Sequence, residues 1–233
     1  MDMEPKTTSY AGLLDQSAFK QWYKYLKSRA IYRYETEEVS FLMSKPPFYF
    51  RDYEIMEIAS KMTTEDQTVL SEIFHDQRTE QLDFEKDDYG TFEKRIIRVQ
   101  STEDVTRISY LITVPWKILG KSKTAKLKIQ EEKRIVNSEE EIDMLRKVGQ
   151  ISDKLLTIGF FRCGRVPLDI YREVEERMQW SPVLRPKYVK QVLYQQINAG
   201  NLSLKTHHNQ LHFQEQNGDF VSHSVNNEIV NSF

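Results

Sequence analysis

The chain has 233 residues, 39% hydrophobic side chains and a formal net charge of −2. This hydrophobic content argues against wholesale disorder, and no apolar run approaches the ~20 residues that a transmembrane helix needs. The near-neutral charge does not favour a general binder of polyanions. Because Cys163 is the single cysteine, no intrachain disulfide can form, and we expect a reducing, cytoplasmic location, or a nuclear one in a eukaryote.

Residues 1–136 are predicted to form an N-terminal helical region followed by a three-stranded meander. The first fifteen residues are expected to be loosely ordered, and a Ser17 cap then opens a helix that runs to about residue 34. Aromatic and aliphatic side chains recur along this helix at the spacing of a core stripe. The positions of that stripe are Phe19, Tyr23, Leu26 and Ala30.

The next segments alternate between helical patterns and breaks. Residues 37–43 are predicted to form a short helix or strand, and the two prolines in 45–50 predict an extended break. Helices are predicted over 53–61 and, after a capping signal, over 64–75.

Three stretches then alternate apolar and polar residues and are predicted to be strands: 92–99, 107–118 and 125–136. The turn between the last two contains Lys121 and Lys123, and we interpret it as a basic hairpin tip.

Residues 137–216 are predicted to form three helices and a two-stranded hairpin. Ser138 begins a capping-box pattern, Pro167 opens the second helix, and Pro186 opens the third, which Gly200 closes. Alternation around 202–204 and 211–213 predicts the two strands. Residues 217–233 are predicted to be a tail.

Three windows of the sequence contain lysine and arginine but no acid: 16–34, 105–130 and 181–214. Local basic faces on a neutral chain are compatible with contact to nucleic acid. The same windows are also compatible with ordinary solvated surfaces.

Three helices followed by a hairpin resemble the winged-helix superfamily. The resemblance implies that the third helix enters the DNA major groove and that the hairpin, or wing, contacts the backbone or minor groove. The implied groove-facing residues of that helix are Lys187, Lys190, Gln191, Tyr194 and Gln195. The implied phosphate contacts are Arg185, Lys205, His207 and His208, with Lys121 and Lys123 forming a second contact from the upstream tip.

Other kinds of site leave only fragments in this sequence. His207, His208 and His212 lie close together, as in some metal sites, and Glu131-Glu-Lys133 matches half of a magnesium-nuclease pattern. The missing acid of that pattern would have to be Asp87, Asp88 or Asp104. Neither pattern is complete, so no catalytic residue, metal or cofactor is predicted.

The sequence therefore predicts an α+β, mainly helical protein whose C-terminal winged helix is preceded by helices and a small antiparallel sheet. We expect it to bind double-stranded DNA and to act in transcription control or replication, with a homodimer or a protein partner possible in either role. The alternative is a non-enzymatic protein–protein adaptor subunit of a larger complex, because winged helices also dock proteins.

Overall fold

The computed structural model describes residues 5–59, 61–75, 93–118, 121–134, 137–208 and 210–216. These residues form seven helices and six strands, which confirms the predicted α+β class. They divide into two compact units. The first contains the described residues up to Ile142 together with Arg185–Lys187, and the second contains Asp143–Leu184 and the described residues from Tyr188 onward. No helix in the described ranges is long and apolar enough to cross a membrane.

The elements of the N-terminal part, in chain order, are strand β1 (Lys6–Leu14), helices α1 (Gln16–Tyr32), α2 (Thr36–Leu42), α3 (Tyr49–Glu54) and α4 (Thr64–Ile73), and strands β2 (Arg95–Glu103), β3 (Arg107–Ile118) and β4 (Lys121–Glu132). The C-terminal elements are helices α5 (Ser138–Thr157), α6 (Pro167–Arg177) and α7 (Pro186–Asn198), and strands β5 (Leu202–His207) and β6 (Gln210–Glu215).

The first unit contains a four-stranded antiparallel sheet in the order β1-β2-β3-β4. The predicted meander is therefore one strand short, because the first residues are ordered by pairing with β2. That pairing runs from Lys6 opposite Glu103 to Leu14 opposite Arg95. The hydrogen-bond partner of β1 is a strand that lies far away in the sequence, so local β-propensity did not predict β1. Likewise β4 begins at Lys121 rather than at residue 125, since its first residues pair with the end of β3.

Helix α1 forms the centre of the first unit's core. Trp22 is fully buried, and its indole N–H donates to the Glu54 carbonyl oxygen at 2.9 Å. Phe19, Leu26 and Ala30 of the predicted stripe are also buried, whereas Tyr23 is half-buried. The N-terminal cap is Asp15, whose carboxylate accepts from the Ala18 amide at 2.9 Å, two residues before the predicted Ser17 cap.

The prediction of a helix over residues 53–61 is wrong. The helix in this region is α3, which begins at Tyr49, inside the stretch predicted to be extended, and ends at Glu54. Residues near the start of a helix tolerate a preceding proline, so the prolines at 46 and 47 do not block it. Beyond α3 the chain turns, and Met56 adopts a left-handed conformation with φ of 67°.

The predicted elements of the C-terminal part are largely confirmed. Pro167 and Pro186 are the first residues of α6 and α7, and both predicted hairpin strands form. The second unit packs its own apolar core. Its fully buried members include Leu155, Phe161, Ile170, Val174, Leu193 and Phe213.

Candidate nucleic-acid interface

Helix α7 carries most of the residues predicted to read DNA, and its buried face follows the predicted stripe. Val189, Val192 and Leu193 are buried, while Ile197 is half-buried. Gly200, with φ of 77°, lies just beyond the helix, where a left-handed residue is favoured. The apolar stripe therefore fixes which side of α7 faces solvent.

The opposite side of α7 presents polar, mostly uncharged groups. Gln191, Tyr194 and Gln195 are exposed, and Lys190 is half-buried. The Tyr194 ring makes an edge-to-face contact with Phe213 at a centroid distance of 6.3 Å. Amide side chains on an exposed helix face can donate to and accept from base edges, whereas a single lysine supplies little charge.

Strands β5 and β6 form the predicted hairpin next to this helix in the chain. Lys205 and His208 are exposed, and His207 is half-buried. The centroid of the His207 ring lies 3.9 Å from that of His208 and 5.9 Å from that of His212. Burial, followed by the neighbouring His207, lowers the pKa of His212 below its usual value. The lowered pKa favours the neutral imidazole of His212, so this residue adds little positive charge to the hairpin.

One residue outside the hairpin pairs with β6. Arg165, between α5 and α6, forms an isolated antiparallel bridge with Phe213 on β6. Each residue's amide donates to the other's carbonyl at 2.9 Å. The second unit thus has the order helix, bridged residue, helix, helix, hairpin. The sequence did not predict this bridge, because a single paired residue leaves no period-2 pattern.

Two of the residues predicted to contact DNA, one as a phosphate contact and one in the groove, already hold carboxylates within the first unit. Arg185 is buried, and its guanidinium pairs with Glu38 and, at 3.3 Å, with Glu35. The Lys187 ammonium lies 2.8 Å from Glu141, and the Lys187 amide donates to Glu38 at 3.1 Å. Both cations are consequently poorer candidates for binding phosphate than exposed ones.

The upstream basic tip is also in the first unit. Lys123 is exposed on β4. Lys121 opens the same strand, and its side chain lies outside the described residues. These lysines therefore belong to strand β4 rather than to a turn, so the basic tip was placed a few residues too late in the chain.

The half-pattern of a magnesium nuclease is distributed over residues with structural partners. Glu131 is buried against Arg29, with 2.8 Å between Oε2 and Nη2. The Asp104 carboxylate accepts from the Thr106 amide in the β2–β3 turn at 2.7 Å, whereas Asp87 and Asp88 lie outside the described residues. Within the described ranges, no group of three histidine, cysteine or acidic side chains is arranged to hold a metal ion.

A buried charge cluster in the first unit was not predicted from the sequence. Arg29 donates to Glu131 at 3.0 Å and to the Tyr110 hydroxyl at 2.7 Å, and its Nε lies 3.1 Å from Glu54. Burial opposes the arginine's charge, but Glu54, then Tyr110 and Glu131, raise its pKa above the usual range. Burial also disfavours the charged form of Glu131 and so raises its pKa, although the attraction of Arg29 acts in the opposite direction.

This cluster forms the floor of a polar cavity of about 460 Å³. The Arg29 guanidinium is already shared by two carboxylates, so Arg29 is a poor binding group for a ligand in this cavity. One signal could have revealed it: Trp22, Leu26 and Arg29 share a helix face at i, i+4 and i+7. An arginine on a face with a buried tryptophan must find buried acids, but the sequence does not say which ones.

The chain was compared with protein-family models, curated proteins and solved structures, and none of them matches it.

Proposed function

We propose that this protein binds double-stranded DNA through the second unit, in the manner of a winged helix, and acts in transcription control or replication. The observation that carries the proposal is the bridge between Arg165 and Phe213. It adds a bridged residue between α5 and α6 to the helices and the hairpin of the second unit, and this order is compatible with a winged helix. In this assignment α7 is the recognition helix and the β5–β6 hairpin is the wing.

The chemistry of the exposed groups supports the same assignment. Gln191 and Gln195 lie on the solvent side of α7, and Lys205 and His208 lie on the hairpin. No acid occurs between residues 181 and 214 to repel a phosphate. Amides suit base edges, and lysine suits the backbone.

The test is fluorescence anisotropy with a labelled duplex over a series of salt concentrations. Lys190→Glu with Lys205→Glu should weaken binding by at least tenfold, because it reverses two charges on the proposed interface. Lys61→Glu with Lys154→Glu is the matched control, since both of these lysines are exposed and lie on neither α7 nor the hairpin. Circular dichroism melts establish that each variant is folded.

The DNA assignment fails if the parent shows no salt-dependent binding to a duplex, or if the interface variant and the control variant bind alike. Lys187→Glu is not a clean test, because it would place a second carboxylate beside Glu141.

One observation favours the adaptor alternative. Trp180 follows α6 with φ of 58°, and 63% of its surface is exposed. Its amide donates to the Glu175 carbonyl at 3.0 Å, which fixes the chain in this turn. Exposed tryptophans on rigid backbone are frequent anchors at protein interfaces. A partner whose co-purification is lost in Trp180→Ala, from a chain that binds no duplex, would establish that role.

A further inference from the structure

The four-stranded sheet of the first unit has two chemically different faces. One face is buried and mostly apolar, and it includes Ile97, Ile112 and Val114, each with no exposed surface. The other face is open to solvent in the part of the chain that the structure describes. Along β2, for example, Ile96, Arg98 and Gln100 are all exposed. Successive side chains of a strand point to opposite faces, so the strand register determines which residues lie on the open face.

On the open face, three rows of paired residues cross all four strands, and we call each row a rung. They are Thr7–Thr102–Ser109–Gln130, Ser9–Gln100–Leu111–Lys128 and Ala11–Arg98–Thr113–Lys126. The twelve positions contain three cations, no acid, and five serine or threonine hydroxyls. The remaining positions carry two amides, one leucine and one alanine.

The three cations are exposed to solvent. Arg98, Lys126 and Lys128 are each exposed. Lys126 and Lys128 are two residues apart on β4, a separation of about 6.6 Å along the strand. Arg98 lies two strands away in the same rung as Lys126, at roughly twice the 4.8 Å strand spacing.

A shallow cavity of about 520 Å³ lies on the same face. Its walls include Ser9, Arg98, Gln100 and Thr113. The small residues on β1 leave this space open, because Ser9 and Ala11 stand opposite the long side chains of Gln100 and Arg98. A ligand in the cavity would therefore meet hydroxyl and guanidinium donors together.

Along the four described strands, carboxylates on this face occur only beyond these rungs. Glu132 is the next outward position on β4, opposite Arg107, and its carboxylate lies 3.1 Å from the guanidinium of Arg33. The acidic end and the basic centre of the open face are thus separated along the strands.

We propose that this open sheet face is a second nucleic-acid contact, which binds the sugar–phosphate backbone through Arg98, Lys126, Lys128 and the neighbouring hydroxyls. Phosphate oxygens accept hydrogen bonds from cations and from serine and threonine, so the face matches a backbone chemically. None of the twelve rung positions is aromatic, so the contact has no base-stacking platform and is independent of sequence. An acidic polypeptide is the competing occupant. The proposal concerns a different surface from the α7 and hairpin interface and does not rest on it.

The experiment uses the full chain and two labelled probes, an oligo(dT) strand and a mixed-sequence duplex. The sheet variant is Arg98→Gln, Lys126→Gln and Lys128→Gln. The matched control is Arg51→Gln, Lys61→Gln and Lys154→Gln, which removes three exposed cations elsewhere. Each phosphate contact contributes about 0.9 to the slope of log affinity against log salt for a duplex, and about 0.7 for a single strand.

The sheet variant should therefore lose about 2.7 from the duplex slope, or about 2.1 from the oligo(dT) slope, and the control should lose neither. The same loss should appear when the sheet variant is combined with Lys190→Glu and Lys205→Glu. This combination separates the sheet proposal from the proposed interface of α7 and the hairpin. Gln100→Lys gives a gain-of-function check, because a cation added to the middle rung should steepen the slope by about 0.9 for a duplex.

Two results would overturn the proposal. One is a folded sheet variant whose affinity and slope equal those of the control for both probes. The other is competition in which poly-glutamate displaces the probes as well as unlabelled DNA does at equal charge, since the face would then be a surface for acidic proteins.

Discussion

Arg29 on α1 and Glu131 on β4 form a buried ion pair, with Nη2 2.8 Å from Oε2, although 102 residues separate them in the chain. Glu54, just at the end of α3, binds the same guanidinium through its own carboxylate. One arginine therefore connects a helix, the sheet and a second helix. Charges this deeply buried are tolerated only while every partner is present.

The first prediction is that Arg29→Met destabilises the protein by about 3–5 kcal/mol, because two buried carboxylates lose their counterion. Methionine keeps most of the side-chain volume, so the loss is electrostatic rather than a cavity. Urea unfolding followed by circular dichroism gives the free energy of unfolding.

Arg33→Met provides the control for this prediction. Arg33 also pairs with a β4 acid, Glu132, but the two side chains are 48% and 75% exposed. An exposed pair contributes less than about 1 kcal/mol. Equal losses in the two variants would mean that the buried cluster contributes no more than a surface pair.

The second prediction concerns Gly12, which lies on the inner side of β1 against Met56. A Cβ built on Gly12 would lie 2.8 Å from the Met56 sulfur and closer still to its Cβ. Gly12→Ala should therefore cost about 1–3 kcal/mol through overpacking. Met56→Gly removes the blocking atoms and relieves the left-handed backbone at that position, where φ is 67°.

In a double-mutant cycle the two substitutions should be coupled, with an interaction of about 0.5–3 kcal/mol that favours the double variant. Gly149→Ala is the matched control, because a Cβ there meets nothing within 4 Å in the middle of α5. It should stabilise the protein by about 0.5–1 kcal/mol. Simple additivity in the cycle would exclude the proposed clash.

The third prediction is a pH dependence that arises in the β2–β3 turn. Hydrogen bonds from the Thr106 backbone and side chain, and from Arg107, lower the pKa of Asp104 from 3.8 to about 2. Because the folded value is the lower one, the carboxylate stabilises the fold above pH ~4. That contribution is lost as the pH falls through about 2.

Asp104→Asn keeps an oxygen acceptor for the turn amides and removes the titration. The difference in unfolding free energy between parent and variant should therefore be constant above pH ~4 and should shrink towards pH ~2. A difference that does not change over this range would show that the charge of Asp104 has no role in the turn.

The sequence predicted those parts of the fold that local signals determine. Pro167 and Pro186 begin their helices as expected, because proline is favoured in the first turn and the apolar periodicity that follows is unambiguous. Strand β1 was missed because its order depends on β2, about ninety residues away in the chain. The same reason hid the partners of Arg29.

The candidate site shows the same division between local and distant information. The exposure of Gln191, Tyr194 and Gln195 follows from the helical stripe, and the structure agrees with it. The burial of Arg185 does not follow, because its partner Glu38 is 147 residues away. A window without acids in the sequence therefore does not reveal which of its cations meet acids from elsewhere in the fold.

The last prediction separates base reading from backbone contact in the proposed interface of α7 and the hairpin. Gln191 is exposed in the N-terminal half of α7, where recognition helices contact base edges. Gln191→Ala should reduce discrimination between preferred and random duplexes by about 1–3 kcal/mol and leave the salt slope unchanged. Lys205→Gln should do the opposite, because it removes one phosphate contact and about 0.9 of slope for every duplex. Lys154→Gln, on the exposed surface of α5, should change neither quantity. The preferred duplex is first obtained by selection from a random pool, and both quantities are then measured by anisotropy titration. If Gln191→Ala and Lys205→Gln both behave like Lys154→Gln, α7 and the hairpin do not contact DNA, and a protein partner becomes the better explanation for this surface.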